Sequence, residues 1–363
     1  MNEQDLAYAR LLFPHISHLL DHPQLRAKFA DYEKEANETR EWVRRLGFAA
    51  VISAGVALLA IATEPVWLHE TFTRWCALVI ELGGVFAALV AAGGLWLGPW
   101  KRRWLESRLM TERLRQWHFQ LLVRRGQQVE ASCTGPSAIV EFEKERVCWF
   151  EDFLQSYEGK LDAQLESLTD EASPVRTWLH DPATAYSSNS EAFLSVFAAY
   201  KRLRFDHQYN YAIWKLRKST DKPIWHFLKW PAICQMALLS SISSACFVFA
   251  LGCSVVLIYG YATDILAKGY GLSSQVELYV RTGALALALI GAALRTLQEG
   301  LAPDKEIERY NDYRGRTSQL RDRFEHTTEM QERIHLMEDL EVASVEEMKG
   351  FVRTHHNARF VLT

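Results

Sequence analysis

Apolar residues are concentrated in four long runs, and the charged stretches between them carry apolar positions at helical spacing. A helix needs about 20 apolar residues to cross a hydrocarbon core about 30 Å thick. The first run is short but reaches that length if it extends to Trp67. A buried core helix is the alternative for it, and the three further runs argue against that. The sequence predicts four membrane-spanning helices in two hairpins, at about 46–62, 75–100, 231–261 and 278–297.

Basic residues lie outside the ends of the first hairpin, whereas the segment that joins its two runs is net acidic. Arg44 and Arg45 precede the hairpin, and the run Lys101, Arg102 and Arg103 follows it. Because Lys and Arg favour the cytosolic side, both ends of the hairpin are predicted to face the cytosol. The same orientation places both chain termini in the cytosol. The first residues lack the basic-then-apolar pattern of a cleaved signal peptide, so none is expected.

The remaining sequence is rich in helix formers, and no alternating strand pattern stands out. The predicted fold class is therefore an all-α integral membrane protein with four transmembrane helices as two hairpins and long helical cytosolic extensions. The extensions are predicted as one or two helices in 1–45, helices over 100–126, 137–170 and 188–220, one long charged helix over 302–341, a shorter one over 344–357 and a loose tail. The predicted division is 1–45, 46–126, 127–187, 188–338 and 339–363.

A stripe of residues at helical spacing occurs once after each hairpin. The two eight-residue cores read "RLMTERLR" and "RGRTSQLR" and share the pattern Arg-x-x-Thr-x-x-Leu-Arg. With a membrane hairpin before each copy, this repetition favours an internal duplication. The stripes are Trp104, Arg108, Thr111, Arg115 and His118, and Tyr310, Arg314, Thr317, Arg321 and Phe324.

Composition adds little to this picture except by exclusion. The net charge is −3, and the six cysteines form no Cys-x-x-Cys pair, so neither a zinc site nor a disulfide framework is predicted. Phosphate-binding loops, dinucleotide-binding motifs and nucleophile elbows do not occur in the sequence. We therefore expect no enzymatic activity, no cofactor and no metal.

Two features inside the apolar runs are candidates for lining a pore. Glu81 is an acidic residue near the outer end of the second run. It could form a cation-favouring ring at an outer pore mouth, or lie at the membrane interface if the span begins after it. The serine cluster at 240–244 includes Ser240 and Ser244. Its hydroxyls could line an aqueous path, or bond to carbonyls of the preceding turn and pack between helices.

Basic residues interleaved with aromatic ones are candidates for binding a ligand. Guanidinium groups hold phosphates and aromatic rings stack on bases, so the mixture suits an oligonucleotide. The alternative is a face next to the membrane, held to anionic lipid. The predicted ligand-binding residues are Arg102, Arg103, Arg108, Arg115, Arg202, Arg204, Tyr211, Arg314 and Arg321.

The stretches "YKRLRFDHQYNYAIWKLRKST" and "YNDYRGRTSQLRDRF", which flank the second hairpin, resemble the two-span effector domains named SLATT. SLATT domains usually have Arg, Gln and aromatic residues before the hairpin and one Arg after it. The first half of the chain resembles a second, more divergent copy. The matching positions are Tyr200, Arg204, Gln208, Tyr211 and Arg314 in the second copy, and Trp104, Arg108, Glu112 and Arg115 in the first.

This resemblance implies a function. SLATT domains accompany nucleotidyltransferases in bacterial antiphage systems and are thought to form oligomeric pores that depolarise an infected cell. It therefore implies a homo-oligomeric ion channel in the bacterial inner membrane, with four copies as one arrangement. Its ligand would be a nucleotide or short oligonucleotide from a neighbouring nucleotidyltransferase, and duplex DNA is not an expected partner. A non-conducting membrane scaffold that oligomerises and recruits a soluble partner is the alternative.

Overall fold

The computed structural model describes residues 3–67, 71–97, 99–169, 186, 191–267, 273–358 and 360. The regular elements in these ranges are all helical, so the predicted all-α fold class is confirmed. The α-helices are α1 (Glu3–Leu12), α2 (Ser17–Leu20), α3 (Pro23–Trp67), α4 (Thr71–Leu97), α5 (Trp100–Arg124), α6 (Gly126–Ser132), α7 (Pro136–Tyr157), α8 (Leu161–Thr169), α9 (Glu191–Tyr200), α10 (His207–Lys215), α11 (Ala232–Ala267), α12 (Ser274–Leu301), α13 (Pro303–His326) and α14 (Met330–Asn357). A π-helical segment, Lys201–Asp206, joins α9 to α10, and Pro14–Ile16 and Ile224–Lys229 are 3-10 helical.

Several predicted helix boundaries were wrong. The helix predicted over 137–170 is two helices, α7 and α8, which meet near Gly159, whose φ is +76°. Glycine adopts this left-handed conformation readily. The long charged helix predicted over 302–341 ends at His326, and α14 begins at Met330. The predicted loose tail also begins too early, because α14 runs to Asn357 and its His355 is buried.

The second apolar run was predicted to end at about residue 100, where the next helix, over 100–126, was predicted to begin. In the structure α4 ends at Leu97, and α5 begins at Trp100, directly after Pro99. Proline lacks a backbone N–H and suits a position at the start of a helix rather than its interior. The position of Pro99 therefore explains why α5 begins at Trp100.

The chain forms two compact units, each assembled from segments distant in sequence. Unit 1 contains Met1–Thr39, Arg102–Arg217 and Glu306–His356, and unit 2 contains Arg40–Lys101, Lys218–Lys305 and Asn357–Thr363. Helix α3 contributes residues to both units. The units therefore combine residues that the predicted division assigned to different segments.

Unit 1 has an apolar core rich in aromatic side chains. Leu114 and Leu122 of α5 are completely buried in it, as is Phe205 of the π-helical segment. The rings of Phe205 and Phe324 lie 5.0 Å apart, which joins α13 to this core. Apolar residues four or eight positions apart on α5 face the same side, so the pattern of α5 explains its burial.

The repeated stripe faces this buried side at most of its positions. Trp104 and Tyr310 are buried, as are Thr111 and Thr317, and so are the final residues, His118 and Phe324. Arg314 is the exception, because its side chain is exposed. Arg115 and Arg321 are both half-buried, so four of the five equivalent pairs occupy matching environments, and the duplication itself stays a prediction.

Unit 2 consists mainly of apolar helices in close contact. Val51 of α3, Leu239 of α11 and Leu297 of α12 form one buried cluster. An added Cβ on Gly84 of α4 would lie 2.9 Å from the Cβ of Ala57 on α3. The absence of a side chain at Gly84 therefore allows α3 and α4 to approach closely.

Three segments of the described chain are long and apolar enough to cross a membrane, namely Pro23–Glu64, Ala232–Thr263 and Ser274–His326. The apolar part of α4, Ala77–Gly93, is shorter. Apolar side chains on these helices are exposed, for example Phe247 with 65% and Ile258 with 67% of their surface accessible. A hydrocarbon environment accounts for this exposure, and the chain is a membrane protein.

Adding one methyl group to α4 tests the close approach of α3 and α4. Gly84→Ala should lower the melting temperature, because its Cβ would also lie 3.0 Å from the backbone oxygen of Ser53. Overpacking costs about 1–3 kcal/mol, against about 1 kcal/mol that alanine gains over glycine in a helix. Thermal unfolding of the detergent-solubilised protein measures the change.

Gly83→Ala is the matched control, because nothing lies within 4 Å of an added Cβ at Gly83. It should leave the melting temperature unchanged or raise it slightly. Equal melting temperatures for the two variants would show that α4 does not pack against α3 at Gly84.

Candidate functional site

A small polar cavity lies inside unit 1, where α5, the π-helical segment, α10, α13 and α14 meet. It brings together four of the predicted ligand-binding residues with acidic, amide and hydroxyl side chains from other helices. The lining residues are Arg108, Glu112, Arg115, Arg204, Gln208, Tyr211, Tyr310, Tyr313, Ser344 and Glu347.

The contribution of α5 follows from its helical spacing. Glu112 lies four residues after Arg108 and three before Arg115, so the three side chains share one face of the helix. Nη2 of Arg108 is 2.5 Å from Oε1 of Glu112, and Nη1 of Arg115 lies 2.6 Å from both carboxylate oxygens. The two arginines therefore hold one carboxylate between them.

Arg204 is bound by α14. Its Nε and Nη2 each donate a hydrogen bond of 2.8 Å to Glu341, one to each carboxylate oxygen. Tyr200 donates a further bond of 2.7 Å to the same carboxylate. Both side chains of the ion pair are only 1% exposed. This bidentate pair is rigid, because the planar guanidinium matches the carboxylate geometry.

The π-helical turn carries Arg204, and such turns often occur at functional sites because they change the direction of side chains. Next to it, Tyr313 of α13 donates a hydrogen bond of 3.2 Å to Gln208. Its hydroxyl also lies 3.1 Å from that of Ser344. Tyr211 and Tyr310 meet edge to face, with ring centroids 6.1 Å apart. Polar contacts thus connect α10, α13 and α14 around the cavity.

Electrostatic coupling keeps Glu112 and Arg204 ionised. Burial alone would raise the pKa of Glu112, but Arg108 and Arg115 outweigh it and lower the pKa to about 2. Burial would likewise lower the pKa of Arg204, but Glu341 raises it above its ordinary value. Glu112 and Arg204 are therefore charged at neutral pH.

The cavity has a volume of about 10 Å³, measured as the space that the centre of a water molecule can occupy. That is roughly the space required by one water molecule. A nucleotide therefore does not fit into the cavity in this conformation. One guanidinium nitrogen of Arg204, Nη1, is buried without a hydrogen-bond partner among the described residues. A water in the cavity is the partner that its size allows.

The other predicted ligand-binding residues lie outside the cavity lining. Arg102 pairs with Glu106 at 2.8 Å, and Arg103 and Arg314 are exposed. Arg202 and Arg321 both approach the carboxylate of Asp206, at 4.0 Å and 3.8 Å. The nine residues predicted to bind a ligand therefore form two sets, four that line the cavity and five that lie outside it.

Sequence reasoning missed the acidic partner of Arg204. Glu341 was placed at the end of the long charged helix over 302–341 and was not named as a site residue, yet it is 1% exposed. The available signal was the sequence "MEDLEVASVEEM", in which Glu341 occupies the same helical face as the apolar residues Met337 and Val345. Its pairing with Arg204, which is 137 residues away, depends on tertiary structure.

A second feature, which we call the groove, lies in unit 2 along α11 and α12. Apolar residues make up much of its lining, polar side chains lie among them, and its volume is about 1360 Å³. Small residues of α12 form part of its floor, including Ala288, Gly291 and Ala292. Its polar lining includes Ser240, Ser243, Ser244, Ser254, Arg295 and Gln298.

The groove contains both serines predicted to line a pore. Ser240 and Ser244 are exposed, and within the described chain their hydroxyls make no hydrogen bond. By contrast, Ser254 donates to the carbonyl of Ala250 at 3.0 Å. The bonding to the preceding turn that was offered as the alternative for the cluster at 240–244 therefore does not occur at Ser240 or Ser244. Glu81 is half-buried on α4 and does not line the groove.

Comparison with protein-family models, with curated proteins and with solved structures found no match for this chain. Among the described residues, no cluster of histidine, cysteine and acidic side chains has the geometry of a metal site. The chemical character of the cavity and the groove therefore carries the functional argument.

Removing the charge of Arg204 tests its structural role. Arg204→Met should lower the free energy of unfolding by about 3–5 kcal/mol, because Glu341 would remain as an unpaired buried charge. Replacing both partners, as in Arg204→Met with Glu341→Leu, should recover most of that loss. Denaturant unfolding in detergent measures both changes.

Arg202→Met is the control, since Arg202 is exposed on the same helical segment. Its effect should stay within about 0.5 kcal/mol. If Arg204→Met and Arg202→Met cost the same, the buried pair does not hold α14 to the π-helical segment.

Proposed function

We propose that the chain is one subunit of an oligomeric ion channel in a bacterial inner membrane, controlled by a nucleotide or short oligonucleotide. The observation that carries this proposal is the groove, which gathers hydroxyl, amide and charged side chains on helices whose other exposed side chains are largely apolar. Lipid offers no partner to exposed hydroxyl and guanidinium groups, so such a surface favours water or another copy of the chain.

Several copies are needed to close a path around the groove. In one chain the groove is open, and Phe247 and Val248 at its edge are also exposed. A closed ring of identical subunits turns the same surface of every subunit towards one axis. With four copies as one arrangement, the serines of all subunits would face a shared aqueous path.

In this proposal the membrane part has four spans in two hairpins, and both chain termini are cytosolic. The close approach of α4 to α3 at Gly84 supports a first hairpin, although the apolar segment of α4 is short. Extensive packing of α12 on α11, with Gly291 near Cys246, supports the second. The basic residues outside the first hairpin favour the orientation.

The signal would act on the cavity of unit 1. Phosphate groups bind arginine in the same bidentate manner as carboxylates do, so a phosphate ligand can compete with Glu112 for Arg108 and Arg115. The ligand would stabilise an opened conformation, because the cavity has room for about one water. It controls the channel only if it binds the opened and closed states unequally. Helix α3, with residues in both units, offers a covalent route between them.

The resemblance to SLATT domains supplies the ligand class and the role in antiphage defence. It rests on short helical motifs, including Arg204, Gln208 and Tyr211. The cavity gives these residues a shared location, since all three line it. A neighbouring nucleotidyltransferase gene would supply the signal molecule in this proposal.

Ion flux from proteoliposomes tests the channel and the position of its wall. Ser244→Leu should reduce the flux strongly, because it replaces an exposed hydroxyl in the groove with a bulky apolar side chain that favours dewetting. The assay uses the purified chain with and without a panel of cyclic di- and trinucleotides.

Ser241→Leu is the matched control, because Ser241 is exposed on the same helix but does not line the groove. It should leave the flux unchanged. A wild-type protein that forms oligomers but passes no ions under any condition would contradict the channel and favour the scaffold.

Ligand control is tested at the cavity. Arg108→Gln should raise the nucleotide concentration needed for half-maximal response roughly 10- to 100-fold, because a charged hydrogen bond is worth about 1.5–3 kcal/mol. Dose–response curves of ion flux give this concentration.

Arg314→Gln provides the comparison, because Arg314 belongs to the repeated stripe but lies exposed outside the cavity. Its dose–response curve should match that of the wild type. An unchanged curve for Arg108→Gln would remove the cavity from signal binding.

A further inference from the structure

The groove contains a charged side chain at the end of the apolar part of α12, namely Arg295. We infer that Arg295 determines the charge selectivity of the path and makes it prefer anions. This inference rests on the proposed channel function. It attributes the charge selectivity to one residue, because the existence of an aqueous path does not by itself determine which ions pass.

The position of Arg295 follows from helical geometry. It lies one turn after Gly291 and one turn before Glu299 on α12, about 6 Å along the axis from each. All three residues line the groove together with Ser240 and Ser244. For an ion that moves towards the cytosol from the middle of the groove, Arg295 is therefore the first charged side chain along α12.

Arg295 is exposed and, in the described part of the chain, makes no ion pair or hydrogen bond. Arg281, near the other end of α12, contrasts with it. Arg281 donates to the hydroxyl of Tyr261 at 2.7 Å and lies 3.3 Å from Glu277. A guanidinium without a partner is unfavourable against hydrocarbon, so the position of Arg295 in the groove favours contact with water.

The other charged groups of the groove lie beyond Arg295 and carry one net negative charge. Glu299 follows on the last turns of α12, and Asp304 and Lys305 lie at the start of α13. Of these four charged residues, Arg295 is the one next to the apolar stretch of α12. A ring of one arginine per subunit in a low-dielectric wall attracts anions and repels cations.

This assignment differs from the expectation for Glu81, which would favour cations at an outer mouth. Glu81 does not line the groove, so its carboxylate lies away from the path proposed here. The competing account of Arg295 is snorkelling, in which its long side chain reaches the lipid headgroups and carries a charge unrelated to conduction.

Reversal potentials across planar bilayers in a KCl gradient separate these accounts. The reversal potential of the wild-type channel should have the same sign as the chloride equilibrium potential. Arg295→Gln should move the reversal potential towards zero, Arg295→Glu should invert its sign, and Arg295→Lys should retain chloride preference. Arg281→Gln, which removes an arginine outside the groove, should leave the potential unchanged.

The inference would be wrong if Arg295→Gln, Arg295→Glu and the wild type all conduct with the same reversal potential. That result would not contradict the proposed channel function. Cation preference in the wild type would also overturn it. Absence of current from the wild type, with and without the cyclic nucleotide panel, would contradict the channel itself and the selectivity assignment with it.

Discussion

Polar side chains on a membrane helix must find water or a polar partner, and this constraint governs unit 2. Exposed apolar side chains such as Phe249 and Val255 suit α11 to lipid. Ser240, Ser244 and Arg295 do not suit lipid, and they share one groove. The energetic cost of a polar group in hydrocarbon is several kcal/mol, far above the gain from one exposed apolar contact. The groove is therefore the part of the surface whose polar groups find no hydrogen-bond partner in the hydrocarbon of a bilayer.

Unit 1 meets a related constraint in a different way. Around the cavity, Arg108, Arg115 and Arg204 are buried or half-buried, and each pairs with a carboxylate from another turn or helix. Arg204 with Glu341 joins the π-helical segment to α14, and Arg108 and Arg115 share Glu112. Buried ion pairs add little net stability compared with apolar packing, but breaking one is costly. Such a network suits a control element, because a ligand that replaces one partner changes which arrangement is favoured.

The sequence predicted those parts of the fold that depend on local pattern. The four apolar runs are helical, and α5 was expected at 100–126 and observed at Trp100–Arg124. The break after His326 was missed, because the linking residues lack glycine and proline and the charge pattern continues across them. Of the site, the arginines and Tyr211 were predicted from composition and spacing. Their partner Glu341 was not, because a pairing across 137 residues is a property of tertiary packing.

Cysteine accessibility tests most directly whether the groove holds water within the membrane, as the proposed channel requires. The six native cysteines would be replaced, and Ser244→Cys compared with Phe249→Cys in reconstituted protein treated with a charged, membrane-impermeant thiol reagent. Thiols react as thiolates, which form in water and not in hydrocarbon. The account predicts faster modification at position 244 than at position 249. Equal, slow modification at both positions would contradict it.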